Sequence, residues 1–210
     1  MHFGIFIYDG VEPIDLATFG VLSMARRVAP AIRISTIAPA AGSVKLANGL
    51  EVIAGYGVGN APALDVLIVT GGPGWKTLCT HAPTLAYIRS AAQQAVIASV
   101  CTGGMILAAS GVLDGLAATT KQQVIAGQEI PPLLLLRQQH PRVDVLEARL
   151  VDNGRIVTGG GVTLCIDLTL HLLERLLGAH VAAETARIME YTAAQEANRR
   201  NMPTIIRQQA

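Results

Sequence analysis

Two short apolar runs that end in glycine constrain the fold of this chain more than any other feature. DVLIVTGGPG covers residues 65–74, and AVIASVCTGG covers residues 95–104. Apolar runs of this length bounded by glycine are typical of strands buried on both faces. The segments between these runs and after the second run have the apolar spacing of helices, and predicted strands alternate with predicted helices elsewhere. We therefore predict an α/β protein, a flavodoxin-like three-layer sandwich with a mostly parallel central sheet and helices on both faces.

Two asparagine–glycine pairs predict β-hairpins within this plan. Asn48-Gly49 and Asn153-Gly154 each separate two apolar runs, which is the strongest short hairpin signal. Half of the chain is hydrophobic (51%) but only 4% is aromatic, so the core must consist of valine, isoleucine, leucine and alanine. We expect one domain over residues 1–191, followed by a C-terminal tail over residues 192–210.

Charge and cysteine usage exclude several classes of function. The net charge is +1 without a basic run, so we expect no nucleic-acid partner. No apolar run approaches the ~20 residues that span a membrane, so we expect no membrane partner. Three cysteines without framework spacing and an N-terminus without a basic leader predict a cytoplasmic protein. No His/Cys/Asp cluster has metal-ligand spacing, which predicts neither a metal nor another cofactor.

Cys101 lies where a predicted strand turns directly into a predicted helix. Small residues surround it, as in a nucleophile elbow with cysteine in the position of serine. The start of a helix offers free N–H groups and positive potential, so we expect a lowered thiol pKa and the most reactive of the three thiols. A buried, inert cysteine is the alternative, and it is the reading we expect for Cys165. The pattern does not place Cys79.

Three motifs in order resemble the ThiJ/PfpI superfamily, which has the class I glutamine amidotransferase-like fold. They are VTGGPGWKTL, ASVCTGGMILAASGVLDGLAATT and GRIVTGGGVTLCIDLTLHLLERLLG. The resemblance extends from about residue 3 to about residue 191. Within the superfamily, SVCTGG and the acid in YDGVEPIDLATFGVL are most similar to isonitrile hydratases and to the sensing domains of AraC-type regulators.

The resemblance implies a set of site residues and a homodimer. Cys101 would be the nucleophile, and Asp15 would be the acid that approaches it, with Glu12 a weaker candidate. Gly71 and Gly72 match the glycines of the oxyanion loop. Thr102 would offer its backbone N–H and hydroxyl to the same pocket. An acid in a first helical turn can also simply complement the helix dipole, which is the alternative for Asp15.

The chain departs from the superfamily pattern at one position. Relatives with a cysteine–histidine pair often carry histidine after ATT, where this chain has Lys121. A cysteine–histidine peptidase is therefore disfavoured. Of the five histidines, only His81 is near enough to the glycine-rich loop to be a pocket candidate. Trp75 follows the same loop, where it would line a pocket for an uncharged substrate or cap the core.

These residues predict a hydratase that needs no cofactor and acts on a small uncharged substrate. An isonitrile and water would give an N-substituted formamide through a Cys101 thioimidate, with Asp15 as general acid and then as base. One alternative is a non-catalytic module that senses a small ligand. The other is an oxidation sensor or a glyoxalase-like enzyme that uses the same thiol.

Overall fold

The structure, a computed structural model, describes residues 1–207. The described residues form twelve strands and eight α-helices. The strands are β1 (His2–Phe6), β2 (Arg33–Ala38), β3 (Gly42–Lys45), β4 (Glu51–Ala54), β5 (Tyr56–Gly57), β6 (Val66–Val69), β7 (Val96–Ser99), β8 (Ala117–Ala118), β9 (Asp144–Val145), β10 (Leu150–Asp152), β11 (Ile156–Gly159) and β12 (Thr204–Ile206). The helices are α1 (Ala17–Ala25), α2 (Trp75–Leu78), α3 (Ala82–Ala91), α4 (Gly103–Ser110), α5 (Pro132–Gln139), α6 (Leu164–Leu177), α7 (Ala179–Ile188) and α8 (Thr192–Asn201).

Eight strands build the central sheet in the order β12-β10-β11-β7-β6-β1-β2-β5. All pairs in it are parallel except β10 with β11. Strands β6 and β1 are neighbours in its interior, and every residue of both is buried. Their continuous apolar runs follow from this position, because helices cover both faces of a parallel sheet.

The helices fall into two packed groups. Helix α1 packs against α6 and α7, whereas α4 packs against α2, α3 and α5. Helix α6 contacts β11, and α4 contacts β6 and β7. This arrangement confirms the predicted α/β sandwich.

Both predicted hairpins are present. Strands β3 and β4 pair around Asn48, whose φ of 62° is one that asparagine tolerates better than most side chains. Strands β10 and β11 pair around Gly154, which has a φ of 82°. The signal is reliable here because it depends on only two adjacent residues and the strands beside them.

Residues beyond position 191 add two elements to the fold. Helix α8 packs on α7, and β12 pairs in parallel with β10 at the edge of the sheet. The division of the chain at residue 191 stays a prediction, and positions 208–210 of the predicted tail lie outside the described residues.

Candidate active site

The chain makes a sharp turn at Cys101. Strand β7 ends at Ser99, α4 begins at Gly103, and Cys101 between them has a φ of 51°. A side chain at this φ costs roughly 1–3 kcal/mol, which surrounding structure must offset. A Cβ at Gly103 would collide with the backbone of Val69, so only glycine lets α4 start this close to β6. The predicted elbow at Cys101 is confirmed.

Two hydrogen bonds from distant segments hold this turn. The Cys101 N–H donates to the carbonyl of Gly160 (3.0 Å). The hydroxyl of Thr120, fully buried, donates to the carbonyl of Cys101 (2.6 Å). A methyl group at Gly161 would lie 3.0 Å from the Cys101 sulfur, so a side chain there would crowd the thiol. The thiol residue itself is 2% exposed.

Asp15 lies in a 3-10 turn, Pro13–Leu16, that precedes α1, and it is fully buried. Its Oδ2 accepts a hydrogen bond from the Gly71 N–H at 2.6 Å. Its Oδ1 is buried without any hydrogen-bond partner among residues 1–207. Glu12 is partly exposed and contributes through its backbone, because its N–H donates to the Gly71 carbonyl (2.9 Å). A buried carboxylate oxygen without a donor is costly unless it carries a proton or meets a ligand.

The glycine-rich loop connects Asp15 to the elbow. The Gly72 N–H donates to the Thr102 hydroxyl (2.8 Å), which in turn reaches the Gly72 carbonyl (3.3 Å). Gly72 has a φ of 144°, and a Cβ there would collide with the backbone of Glu12. Both N–H groups of the predicted oxyanion loop are thus engaged, that of Gly71 with Asp15 and that of Gly72 with Thr102.

Burial raises the pKa of Asp15 to about 7. The charge of Glu12 contributes to this rise, whereas the Gly71 N–H and the Lys121 ammonium oppose it. A carboxyl group with this pKa exchanges its proton near neutral pH, as a general acid or base must.

The pKa of the Cys101 thiol is raised, to about 12, which contradicts the lowered pKa expected from the elbow. Burial is the main cause and the Asp15 carboxylate the second. The backbone N–H of Thr102 and the charge of Lys121 favour the thiolate but are outweighed. Desolvation disfavours the charged thiolate, and at this buried turn it outweighs the N–H groups of the helix start.

The other two thiols also have raised pKa values. Burial raises that of Cys79 to about 11, and burial raises that of Cys165 further. Cys79 is only partly buried and its thiol points to the carbonyl of Met105. The ranking of Cys101 as the most reactive thiol stays a prediction, with Cys79 as its competitor.

A cleft of about 760 Å³ opens beside the elbow. Gly72, Thr102 and Lys121 line it on the side of Cys101. Trp75 and Cys79 line it as well, so both residues, whose positions the sequence left open, lie at the cleft. His81 does not line it, and its Nδ1 instead contacts the hydroxyl (2.8 Å) and the N–H of Thr84 at the start of α3. Within residues 1–207 no group of three His, Cys, Asp or Glu side chains is placed to hold a metal ion.

The pattern of the DJ-1/PfpI family matches residues 3–175. The chain belongs to the DJ-1/PfpI family. The resemblance inferred from the three motifs is therefore confirmed. In the part of the chain that the structure describes, no helix is both long enough and apolar enough to cross a membrane.

Three known proteins are similar to this DJ-1/PfpI chain. It is 31% identical over 196 residues to an isonitrile hydratase of Pseudomonas putida, covering 92% of this chain and 80% of that protein. It is also 31% identical over 146 residues to the HTH-type transcriptional regulator GbdR of Pseudomonas aeruginosa, but these cover only 37% of the regulator. A ThiJ/PfpI family protein of Pseudomonas syringae has a similar structure, with a TM-score of 0.78, 26% identity, and coverage of 91% and 75%.

Sequence reasoning missed three residues of this DJ-1/PfpI site. Thr120, Gly160 and Gly161 all contact the elbow, yet none was singled out. A signal for them was present, since Thr120 is in ATTK and the glycines are in VTGGGV, both within motifs that carried the resemblance. Only the pairing of β11 with β7 shows that these motifs meet at Cys101.

Proposed function

We propose that this DJ-1/PfpI protein is a hydratase, a lyase that adds water to an isonitrile and releases an N-substituted formamide. The observation that carries the proposal is Asp15, which is fully buried near enough for its charge to act on Cys101. One of its oxygens is held by Gly71, and the other has no partner among residues 1–207. The 31% identity to an isonitrile hydratase over most of the chain supports the same reaction.

The pair Cys101–Asp15 would hold one proton above pH 7. Both pKa values are raised because each group is buried, and the charge of Asp15 adds to the rise at the thiol. The two groups therefore titrate as a coupled pair. The remaining proton rests mainly on sulfur, so Asp15 first accepts it as the sulfur attacks.

In the first step the Cys101 sulfur forms a bond to the terminal carbon of the isonitrile. The carbon lone pair that results takes the proton from Asp15, which leaves a thioimidate, Cys101–S–CH=N–R, and an Asp15 carboxylate. The step uses one proton of the pair and one isonitrile, and no oxidant or reductant. Asp15 acts here as a general acid whose pKa suits neutral pH.

In the second step water attacks the thioimidate carbon. Asp15 takes a proton from the water and passes it to nitrogen, which gives Cys101–S–CH(OH)–NHR. The hydroxyl proton then returns to Asp15 while the carbon–sulfur bond breaks. The formamide leaves, and the pair again holds one proton. The N–H groups of Gly72 and Thr102 are the proposed donors to developing negative charge, and for Gly72 this requires the Thr102 hydroxyl to move.

A second candidate is a module that binds a small ligand without turning it over. The match to GbdR supports it, because 69% of this chain aligns with part of a transcriptional regulator. The same cleft would hold that ligand, with Gly72, Thr102 and Lys121 in its wall and Cys101 buried beside it without a catalytic role.

A substrate panel separates these functions. We would incubate the protein with n-butyl isonitrile or with an α-oxoaldehyde and quantify the products, with Cys101→Ala as the matched control. We expect N-butylformamide from the unchanged chain and none from Cys101→Ala. Tight binding of ligands with no turnover would favour the sensing module, and turnover of the oxoaldehyde alone would favour the glyoxalase-like alternative.

The proposal includes a homodimer in a reducing, cytoplasmic compartment. Ile14 and Phe19 flank Asp15 in sequence and are 48% and 42% exposed, which favours a covered surface. All three cysteines are free, as in a reducing compartment. Sedimentation at micromolar concentration tests the dimer, and a monomer alone would contradict it.

A further inference from the structure

We propose that the substrate of this cleft carries a carboxylate group beside an apolar substituent. The inference rests on the proposed function for the group that reacts, the isonitrile, and adds the chemistry of the rest of the molecule. It departs from the uncharged substrate expected from the sequence, because that expectation considered only the apolar residues near the glycine-rich loop.

Two lysines give the cleft its charge. Lys76 and Lys121 line it, and neither makes an ion pair within residues 1–207. Glu129 is the acid among the lining residues, so the cations outnumber it. A lysine without a carboxylate of its own, beside a cleft, is a ready partner for an anionic ligand.

The position of Lys121 relates this charge to the reacting thiol. A methyl group at Gly161 would lie 3.0 Å from the Cys101 sulfur and 3.1 Å from the Cβ of Lys121, so both side chains pack on the same glycine. The Lys121 carbonyl accepts the N–H of Leu133 near the start of α5, which fixes the backbone of this residue. Its half-buried side chain then enters the cleft on the side of the thiol.

The position of Lys76 adds a second charge. Its ammonium lies 5.8 Å from the centre of the Trp75 ring, which also lines the cleft. An aromatic face beside a cation provides an apolar surface and a charge at once. An anion bound by Lys76 would therefore have the Trp75 ring within reach of its apolar part.

A carboxylate fits these cations better than a phosphate. Phosphate sites use clusters of free backbone N–H groups. Here the N–H groups of the glycine-rich loop already bind Asp15 and the Thr102 hydroxyl. Two lysine ammonium groups without such a cluster suit a singly charged ligand. The apolar lining then takes the substituent, and it includes Trp75, Val124, Ile130, Pro132 and Leu135.

The first test needs no turnover. Iodoacetamide, an uncharged reagent, would alkylate the protein in the presence of 4-methylpentanoate or of its amide, with labelling of Cys101 followed by peptide mass mapping. We expect half-maximal protection of Cys101 at a concentration of the acid at least tenfold below that of the amide. Equal protection by the two compounds would overturn the inference.

Substitutions of the two lysines test whether their charges cause the advantage of the acid over the amide. Lys121→Met and Lys76→Met should each reduce the advantage of the acid over the amide, and Lys121→Arg should keep it. Glu129→Gln is the matched control on the same cleft and should keep or increase the advantage. An acid advantage that survives in the double variant Lys76→Met/Lys121→Met would contradict the assignment.

The second test separates this inference from the hydratase itself. We would compare kcat/KM for 2-isocyano-4-methylpentanoate and for its methyl ester, and expect the acid to be favoured at least tenfold. If both are hydrated equally, the hydratase stands and the carboxylate inference fails. If neither reacts while the acid still protects Cys101 selectively, the carboxylate inference stands and hydration fails.

Discussion

Two aspartates of this protein are fully buried, and their surroundings differ in one respect. Asp167 on α6 has a hydrogen-bonding partner for each oxygen, since Oδ1 pairs with Arg149 (2.7 Å) and Oδ2 accepts from Tyr191 and Asn198 (2.8 Å each). Asp15 has one donor, the Gly71 N–H, and an oxygen with none in the described part of the chain. Burial is the same for both, at 0% exposed, so the difference lies in the donors.

The comparison shows how the same side chain serves structure in one place and chemistry in another. The partners of Asp167 are Arg149, just before β10, Tyr191, just before α8, and Asn198 on α8, and Arg149 also donates to Thr204 on β12. Asp167 thereby ties the C-terminal elements to the body of the fold. Asp15 connects no comparable set of elements. Because burial disfavours its charged form and the Gly71 N–H is its one donor in the described residues, its pKa lies near neutrality. A buried acid that lacks donors is a candidate for proton transfer.

The largest loss of stability should come from a substitution at Asp167, both of whose oxygens have partners. Asp167→Asn would remove the charge that faces Arg149, whose side chain is 5% exposed, and leave a buried guanidinium without its counter-charge. We expect the free energy of unfolding to fall by about 3–5 kcal/mol in urea denaturation. A loss below about 1 kcal/mol would mean that the network contributes little to stability.

Substitution of Asp15 should have the opposite effect, because it should raise the free energy of unfolding, and it should do so only above acidic pH. Its folded pKa of about 7 exceeds the usual 3.8, so the folded state holds a proton that the unfolded state has released between these values. Wild-type stability should therefore fall as the pH rises from about 4 to 7 and change no further above that.

The measurement is the unfolding free energy of wild type and of Asp15→Asn from pH 4 to pH 8. The two should be similar near pH 4, and the variant should be more stable by up to about 4 kcal/mol at pH 8. A difference that does not change with pH would show that the Asp15 pKa is not raised in the folded protein.

The next prediction concerns the role of Asp15 in turnover. Asp15→Asn keeps the shape and an acceptor for the Gly71 N–H but cannot transfer a proton. We expect isonitrile turnover to fall by at least ~100-fold, the usual loss of a general acid. In wild type the rate should rise with pH through an apparent pKa of about 7, as the pair loses the first of its two protons.

One result would contradict this role, and another would disqualify the variant as a test of it. Near-normal hydration by Asp15→Asn would make Asp15 an acid that only holds the glycine-rich loop. Loss of the Cys101 labelling by iodoacetamide, or of the folded state, would mean that the variant had disturbed the elbow itself. Circular dichroism and peptide mass mapping are therefore measured on the same preparation.

The smallest effect is expected at the surface. Arg142 and Asp114 form an ion pair at 2.5 Å, with Arg142 77% exposed, so water already satisfies both groups. Arg142→Ala should lower the unfolding free energy by less than about 1 kcal/mol and leave turnover unchanged. A larger loss would show that pairing, more than burial, sets the cost at Asp167.

The residues that are adjacent in the chain determined the elbow, the hairpins and the central strands. The turn at Cys101 needs small neighbours within a few positions, and Asn48-Gly49 and Asn153-Gly154 act over two. The strand runs were equally local, and β6 and β7 lie within the segments that predicted them. These features could be predicted because backbone conformation depends first on nearby side chains.

Only the tertiary structure decided the chemical character of the site. Asp15 and Gly71 are 56 positions apart, and their hydrogen bond depends on the packing of β1 beside β6. The raised pKa of Cys101 and the single donor to Asp15 follow from burial, which no local pattern measures. The same holds for the contacts of Thr120 and Gly161 with the elbow and for the edge strand β12. Desolvation and charge act through space, so the pKa of a group depends on residues that the sequence separates.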